Sequence, residues 1–599
     1  MLYKLIHAVF HATSLLVLLS FLVQNNAAFA ESGLQEKQSG PQGRSTAATS
    51  PDHLFDPTHL LKVDIRIDPA DWDIIRKQAR DFLGSLSAEE PADSPFGYVK
   101  ADVTIDGLEI KQVGIRKKGF LGSLDENRPS LKIRFNRYRD QVPFGALDRI
   151  TLNNNKQDPS KLSQYLSYKL FAEAGVPSPR CNFALVTVNG KSLGVYSHVE
   201  SIKPPMLERV FGDGTGLLAE GTLADVLPST KKRFEYKKKL KKKSETKIDE
   251  LTDFLQEPKI DVQKLDELVD LDSFLTFWAT ESLIGFWDGY THNQNNFFIY
   301  ENPKDSKLYF LPWGTDSAFT TEVPRVIEPI ANLAVHSNSA LANHLYRLPE
   351  TRQRYLQTLQ TLLASRWNEA ELLKEIERVE DLLSGVVLSK SRFQKDVRRV
   401  REFVTTRRDA IEKQLETWPT ALNVGPRFPG LVIEYGKIQG KFRASWTTKS
   451  PNAPESLGET SAEFRMASKA IAFTKMGVTT KLSDHYDDKA KDGIQTPTII
   501  FTGVRESDGK TLTFIAKVKP EDFHPSKKEV PVNGILIEGG WIAFFTMLAV
   551  NPASIKLING AIQLDQASRE EGDAVAGKVD LKIVGFSAPK REKLRDSTN

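Results

Sequence analysis

The chain has one cysteine, Cys181, in 599 residues. A single thiol forms neither an intramolecular disulfide framework nor a zinc–thiolate cluster. After residue 30 no apolar run is long enough to span a bilayer. Beyond the same point no two histidines have the His-x-x-x-His spacing of a metalloprotease. The Gly-x-Ser-x-Gly match at Gly190–Gly194 falls on the Asn189-Gly190 hairpin rather than on the strand-to-helix elbow of one large hydrolase class, and the complete Gly-x-x-x-x-Gly-Lys-Ser/Thr phosphate loop is absent. The formal net charge is only +4, so bulk charge points to no nucleic-acid partner.

What is present begins with an export signal. Lys4 and His7 precede an apolar run from Ala8 to Val23, and Ala28-Phe29-Ala30 has the small-x-small pattern of a signal-peptidase site. Cleavage after Ala30 predicts a periplasmic, secreted or cell-surface protein with no membrane span of its own. Residues 31–58 are rich in Ser, Gly, Gln, Thr and Ala and predict a flexible linker. The chain after Ala30, about 570 residues, is long enough for roughly three or four domains.

Order is expected from about residue 59, where Leu61, Val63, Ile65 and Ile67 alternate with polar residues as a strand does. Asp68 is positioned to cap a short helix containing Trp72. Tyr98–Ile105, Glu109–Lys117 and Ser130–Phe135 read as strands, the first two turning at Asp106-Gly107. An amphipathic helix is predicted between Pro159 and Ala174, with Leu162, Leu166, Leu170 and Phe171 on one face. Asn182–Val188 and Ser192–Val199 form a hairpin at Asn189-Gly190. The first half thus reads as an antiparallel sheet with one inserted helix, an α+β lobe over about 59–202. Residues 203–420 read as mainly helical. From 430 to 588, short alternating segments punctuated by Gly and Pro predict an all-β, sandwich-like domain, and 589–599 a charged tail. Cys181 lies in an apolar strand and is expected to be buried and inert.

The chemistry concentrates between Gly285 and Phe319. Trp287-Asp288-Gly289 is followed by Asn293, five residues after the Asp, and then by the apolar strand Asn296–Tyr300. Asp316 follows Leu311-Pro312-Trp313-Gly314-Thr315. Phosphoryl transfer from ATP needs such a set: one carboxylate to take the hydroxyl proton, and an amide oxygen and a second carboxylate to hold metal against the phosphates. Asp288 is the candidate base; Asp316 and Asn293 are the candidate ligands of Mg or Mn. The bland alternative is an Asp-Gly turn with asparagine caps. In Ser130-Leu131-Lys132-Ile133-Arg134-Phe135, period two sets Lys132 opposite the apolar face, where it can meet the phosphates or simply face water. Gly114-Ile115-Arg116-Lys117-Lys118-Gly119 reads as a basic, glycine-bounded turn in which Arg116 and Lys118 add charge. The run Lys231–Lys243 is either a docking patch or a solvated face.

These blocks, with Asp68–Trp72, Leu152-Asn153-Asn154, Asp158-Pro159-Ser160, Gly194-Val195-Tyr196, Val199-Glu200, Trp287–Tyr290 with Asn296, Leu311-Pro312-Trp313 and Thr406-Arg407-Arg408, resemble the CotH kinase family in order and register from about Leu61 to Trp418. The resemblance implies a divergent two-lobed protein-kinase-like domain (59–420) that uses ATP and a divalent metal to phosphorylate Ser or Thr of an extracytoplasmic protein. It implies Asp288 as base, Asp316 and Asn293 as metal ligands, Lys132 as the phosphate-anchoring lysine, and Glu200 in the nucleotide cleft. One departure stands out. The family's Trp-Asp-x-Asp block here reads Trp313-Gly314-Thr315-Asp316, with Gly314 in place of the first acid. That leaves a second reading, a catalytically weak surface- or coat-assembly scaffold. On either reading the C-terminal β-domain is free to tether the protein to a surface.

Overall fold

The computed structural model describes residues 50–593, apart from 79–84, 86–88, 92, 121–122, 239–244, 325–326, 328–329, 331, 418–421, 430–431, 448–457, 468, 483–496, 521, 527–528, 540–554 and 587–589. The expected signal segment, most of the linker, Trp418 and much of the basic run lie outside the described residues. The chain divides into two compact units. The larger lies within 35–78, 89–430 and 589–599, and the smaller within 431–588.

The larger unit is α+β. In β1 (Leu61–Ile67) the odd-numbered residues are buried and Lys62, Asp64 and Arg66 are exposed, because successive strand side chains point to opposite faces. Asp68 accepts from the Ala70 N–H at 2.8 Å and, with Pro69 next, starts α1 (Pro69–Lys77). β2 (Val99–Ile105) and β3 (Leu108–Lys118) turn at Asp106-Gly107, whose φ angles of 47° and 87° are those a two-residue hairpin requires. β4 (Ser130–Arg134), β5 (Arg149–Asn153), β6 (Cys181–Val188) and β7 (Lys191–Val199) complete the layer.

These strands form a closed barrel in the order β1-β2-β3-β4-β5-β7-β6, not the open antiparallel sheet expected. The seam is a parallel pairing of β1 with β6 that sets Ile65 opposite Val188. Alternation reveals strands and hairpins, but closure depends on a pairing more than a hundred residues apart in sequence. Val63, Val103, Ile115, Leu131, Ile133 and Val186 fill the interior. Lys132, between two of these core residues, is therefore on the outside of the barrel, as the alternation predicts.

α2 (Leu162–Glu173) is buried on nearly every side, including Ser163, Gln164, Ser167 and Tyr168. The expected one-sided amphipathic helix is thus a central one, from which Ser163 Oγ donates to the Ala318 carbonyl at 3.2 Å and Tyr165 Oη donates to Glu375. Cys181 is half-buried, and burial pushes its thiol well above the ordinary value. After α3 (Pro204–Phe211), β8 (Leu217–Gly221) and β9 (Glu235–Tyr236) join a second sheet with β10 (Phe297–Glu301) and β11 (Leu308–Pro312), in the order β11-β10-β8-β9. Two short helices follow, α4 (Lys247–Phe254) and α5 (Val262–Leu268). α6 (Leu271–Leu283), capped by Asp270 on the Ser273 N–H at 2.9 Å, leads to the four-residue α7 (Tyr290–Asn293). β10 (Phe297–Glu301) and β11 (Leu308–Pro312) come next. α8 (Ala340–Arg347), α9 (Pro349–Ser365) and α11 (Lys390–Leu415) contact α6 and its C-terminal end, where Trp278 stacks on Tyr355 with ring centroids 3.8 Å apart and Arg407 donates to the Leu283 carbonyl; α10 (Glu369–Leu383) packs on α11.

Among its described residues the smaller unit forms one ten-stranded sheet rather than two facing sheets. Its first strand, β12 (Val432–Thr447), pairs antiparallel with the last, β21 (Ala574–Phe586), and in parallel with β16 (Phe473–Leu482). The ring of pairings therefore closes on itself around Ile438, Phe442, Phe501, Phe514 and Leu581. Among the described residues no helix is long and apolar enough to cross a membrane.

Candidate functional site

The loop after α6 owes its shape to a buried acid. Glu281 accepts from the N–H groups of Tyr290 (3.0 Å) and Thr291 (2.8 Å) and from the Thr291 hydroxyl (2.6 Å). It thereby satisfies donors that start α7 and would otherwise be orphaned. Burial, with Asp288 nearby, pushes Glu281 up to about 7. Gly289 makes this possible, since a Cβ there would stand 2.3 Å from Glu281 Oε1. Beneath the loop Asp225, also buried, accepts from Tyr290 Oη (2.9 Å), Gln294 Nε2 (3.0 Å) and the Ala340 N–H (2.8 Å).

Held this way, Asp288 presents its carboxylate to three asparagines. Asn293 donates to Oδ1 at 2.7 Å, Asn295 to Oδ1 at 3.1 Å and Asn296 to Oδ2 at 2.8 Å. Burial still lifts the group to about 6, with the amides opposing. Such a carboxylate is poised to exchange a proton near neutral pH.

Asp316 comes from the other side, on the single turn Thr315–Ser317 after β11. Burial raises it to about 7; Asp288 and Asp158 add like-charge repulsion, and Lys118 opposes it. Asn153 Nδ2, at 3.4 Å, is its amide neighbour. The two acids read from the sequence, 28 positions apart, are thus close enough to perturb one another.

Opposite this acidic group stands a basic wall. β3 and β4 pair with Arg116 across from Lys132 and Lys118 across from Ser130, so the three cations share the barrel's outer face. Lys118 Nζ lies 5.9 Å from the centre of the Trp313 ring. Burial, then the charges of Arg116 and Lys118, depress Lys132 to about 7. The expected glycine-bounded turn is instead strand: Gly114 to Lys118 end β3, and pairing with β4 holds them extended.

Two expectations are displaced. Asn293 does not offer a free oxygen to metal; its Oδ1 accepts from Arg427 Nη2 at 3.0 Å while its amino group serves Asp288. A carboxylate on one side and a guanidinium on the other fix that amide orientation. Asn296 is better placed, with its Oδ1 turned toward Gly314. Glu200 does not face the basic wall. It is buried in an ion triad, accepting from Arg180 at 2.9 Å and Arg209 at 2.5 Å. The acid among the lysines is Glu220 on β8, paired with Lys237 and neighboured by Lys132 and Lys203. Its one sequence cue is a lone charge in the apolar strand Leu217–Gly221. The basic run, where described, is engaged locally: Lys231 pairs with Asp249 at 3.0 Å and Lys237 with Glu220 and Glu235.

Arg427 was not legible as a site residue. It is buried, donates to Gln294 Oε1 at 2.8 Å as well as to Asn293, and so carries the loop from below. Its own segment is held by residues 590–592: the Phe428 N–H donates to the Lys590 carbonyl and the Glu592 N–H to the Pro426 carbonyl, both at 2.8 Å.

The description CotH kinase protein fits residues 115–411. The chain belongs to the CotH family. Inner spore coat protein H of Bacillus subtilis (strain 168) is 26% identical over 275 residues, 43% of this chain and 73% of that protein. Inner spore coat protein H-like protein of the same bacterium is 34% identical over 53 residues, 9% of this chain and 17% of its own length. The CotH match starts on β3 and ends on α11, so it contains Lys118, Lys132, Glu220, Asp288 and Asp316. The β12–β21 unit lies outside it.

Proposed function

We propose that the CotH domain of this chain is an exported, two-lobed protein-kinase-like phosphotransferase that moves the γ-phosphoryl group of ATP to a Ser or Thr hydroxyl of a surface or coat protein. The observation that carries this reading is complementary crowding. Acids repel one another around Asp316, and cations repel one another around Lys132, across the same region. A metal–polyphosphate ligand relieves both, placing positive charge by the acids and negative charge by the lysines.

In that reading Lys132, Lys118 and Arg116 bind and orient the triphosphate, and Glu220 holds Lys132 in place. Asp288 Oδ2 takes the acceptor hydroxyl's proton as its oxygen bonds to the γ-phosphorus; the bond from that phosphorus to the β,γ-bridging oxygen breaks and ADP leaves. Asn293, Asn295 and Asn296 orient the Asp288 carboxylate. The donor set around Asp316 suits a hard divalent cation, because a buried carboxylate beside two others has a single amide donor within reach. Mg or Mn held by Asp316 and Asn296 Oδ1 would neutralise charge on the phosphates. Positioning and electrostatics supply nearly all the catalysis in such sites.

The test is incubation of the full chain with γ-labelled ATP and Mg or Mn. Label transfer that is lost in Asp288→Ala supports the reading. A second reading, a coat- or surface-assembly scaffold, is favoured by Gly314, where the family has an acid. No transfer together with no metal-dependent nucleotide binding would leave the scaffold, with the β12–β21 unit as its tether.

A further inference from the structure

Away from the CotH site, three side chains meet at the rim of the barrel. His53 belongs to a short 3-10 turn (Pro51–Phe55), His59 precedes β1, and Asp106 occupies the β2–β3 turn. Both imidazoles point Nε2 at the same atom, Asp106 Oδ2, at 3.0 Å and 2.8 Å. The rings stack with centroids 5.2 Å apart, and the three ligand-type atoms lie within 4.8 Å of one another. The other carboxylate oxygen accepts from the Lys62 N–H at 2.9 Å, and the Asp106 N–H donates to the Lys62 carbonyl at 3.0 Å. That backbone clamp fixes how the carboxylate faces, as the outer partners of metal ligands do.

We infer that His53, His59 and Asp106 form a zinc-class metal site that pins the chain before β1 to the barrel. Two neutral imidazole nitrogens and one carboxylate oxygen are a zinc donor set, and imidazole disfavours magnesium or calcium. The spacing supports it. Tetrahedral bonds of about 2.0–2.1 Å set ligand atoms roughly 3.3 Å apart, so the observed 2.8 and 3.0 Å need to open by only a few tenths of an ångström. Zinc takes the place of hydrogen at each Nε2, and each neutral ring keeps its one proton on Nδ1, so both bind as neutral imidazoles. The histidine side chains are partly exposed, which leaves an entry path and a fourth position for water. This site is separate from the oxygen-rich group around Asp316 and does not depend on phosphoryl transfer.

The full chain, stripped with chelator, is titrated with zinc by calorimetry and with cobalt by visible absorption. One equivalent is expected to bind in the micromolar range or tighter, with cobalt giving the intense bands of a low-coordinate site. His53→Ala/His59→Ala should weaken binding by on the order of a hundredfold, whereas Asp316→Asn should leave it unchanged. Asp106→Asn, which keeps a hydrogen-bonding oxygen but loses the charge, guards against a folding artefact and should weaken zinc without altering the far-ultraviolet spectrum. No saturable binding by the wild-type chain, or equal binding by the double-histidine variant, would overturn the assignment.

Discussion

Gly314 stands between Trp313 and Asp316, and its replacement gives the sharpest test of the site's construction. Its φ is +55°, in the left-handed region, and an added Cβ would stand 2.8 Å from Asn296 Oδ1. In Gly314→Ala two costs follow. Placing a residue with a Cβ in left-handed backbone costs about 1–2 kcal/mol. Pushing Asn296 aside weakens its bond to the Asp288 carboxylate, worth about 1.5–3 kcal/mol for a hydrogen bond to a charged group. The sum is roughly 2.5–5 kcal/mol. In an Asn296→Ala background only the backbone cost should survive, because the Asn296 Cβ is 3.6 Å from the added one, an ordinary contact. Scanning calorimetry of the full chain and the three variants, read on the transition that Gly314→Ala shifts, gives the coupling. We expect it to be about 1.5–3 kcal/mol. Additivity within about 0.5 kcal/mol would refute the claim that position 314 is a glycine to make room for Asn296.

Asp316→Asn should raise the melting temperature, because it removes a buried like charge worth about 1–3 kcal/mol after screening, while abolishing metal-dependent ATP binding; a drop in both would sink this account. Arg427→Met leaves two buried amide oxygens, Asn293 Oδ1 and Gln294 Oε1, short of their donor. It should cost about 3 kcal/mol and speed amide exchange across 288–295, and unchanged exchange there counts against Arg427 as the loop's support. Burial depresses His198 to about 4, below an unfolded value near 6.5. Between those values the unfolded chain binds more protons, so this contribution is complete above about pH 6.5 and disappears as pH falls through 4, some 3 kcal/mol in all. His198→Phe should flatten that part of the stability–pH curve, and an unaltered slope contradicts the assignment.

Local signals were legible from sequence and long-range ones were not. Alternation placed Lys132 on the outer face of β4, and Asp106-Gly107 and Asn189-Gly190 marked their hairpins, because each depends on neighbours a few positions away. The parallel β1–β6 seam depends on residues far apart, and so does the closure of β12 on β21. Asp288, by its spacing from Asn293, and Asp316, by its place between Trp313 and Phe319, stood out as candidates, and the structure brings the two close enough to perturb one another. Glu220, Asn153 and Arg427 did not, since each acquires meaning only through a partner that folding brings from another segment. Asn293 misled because its spacing from Asp288 is right for a ligand while Arg427, more than a hundred residues on, claims its oxygen. The pair His53 and His59 fits no motif, for the third member of that group, Asp106, sits in a turn.

The hydrogen bonds from 590–592 to 426–428 have a temporal meaning. A ribosome must translate the entire β12–β21 unit before those three residues emerge. Until then the segment that carries Arg427 lacks those two hydrogen bonds, while Glu281 and Asp225 are already in place to hold the Asp288 loop. The last support of the acidic loop is thus also the last to be synthesised.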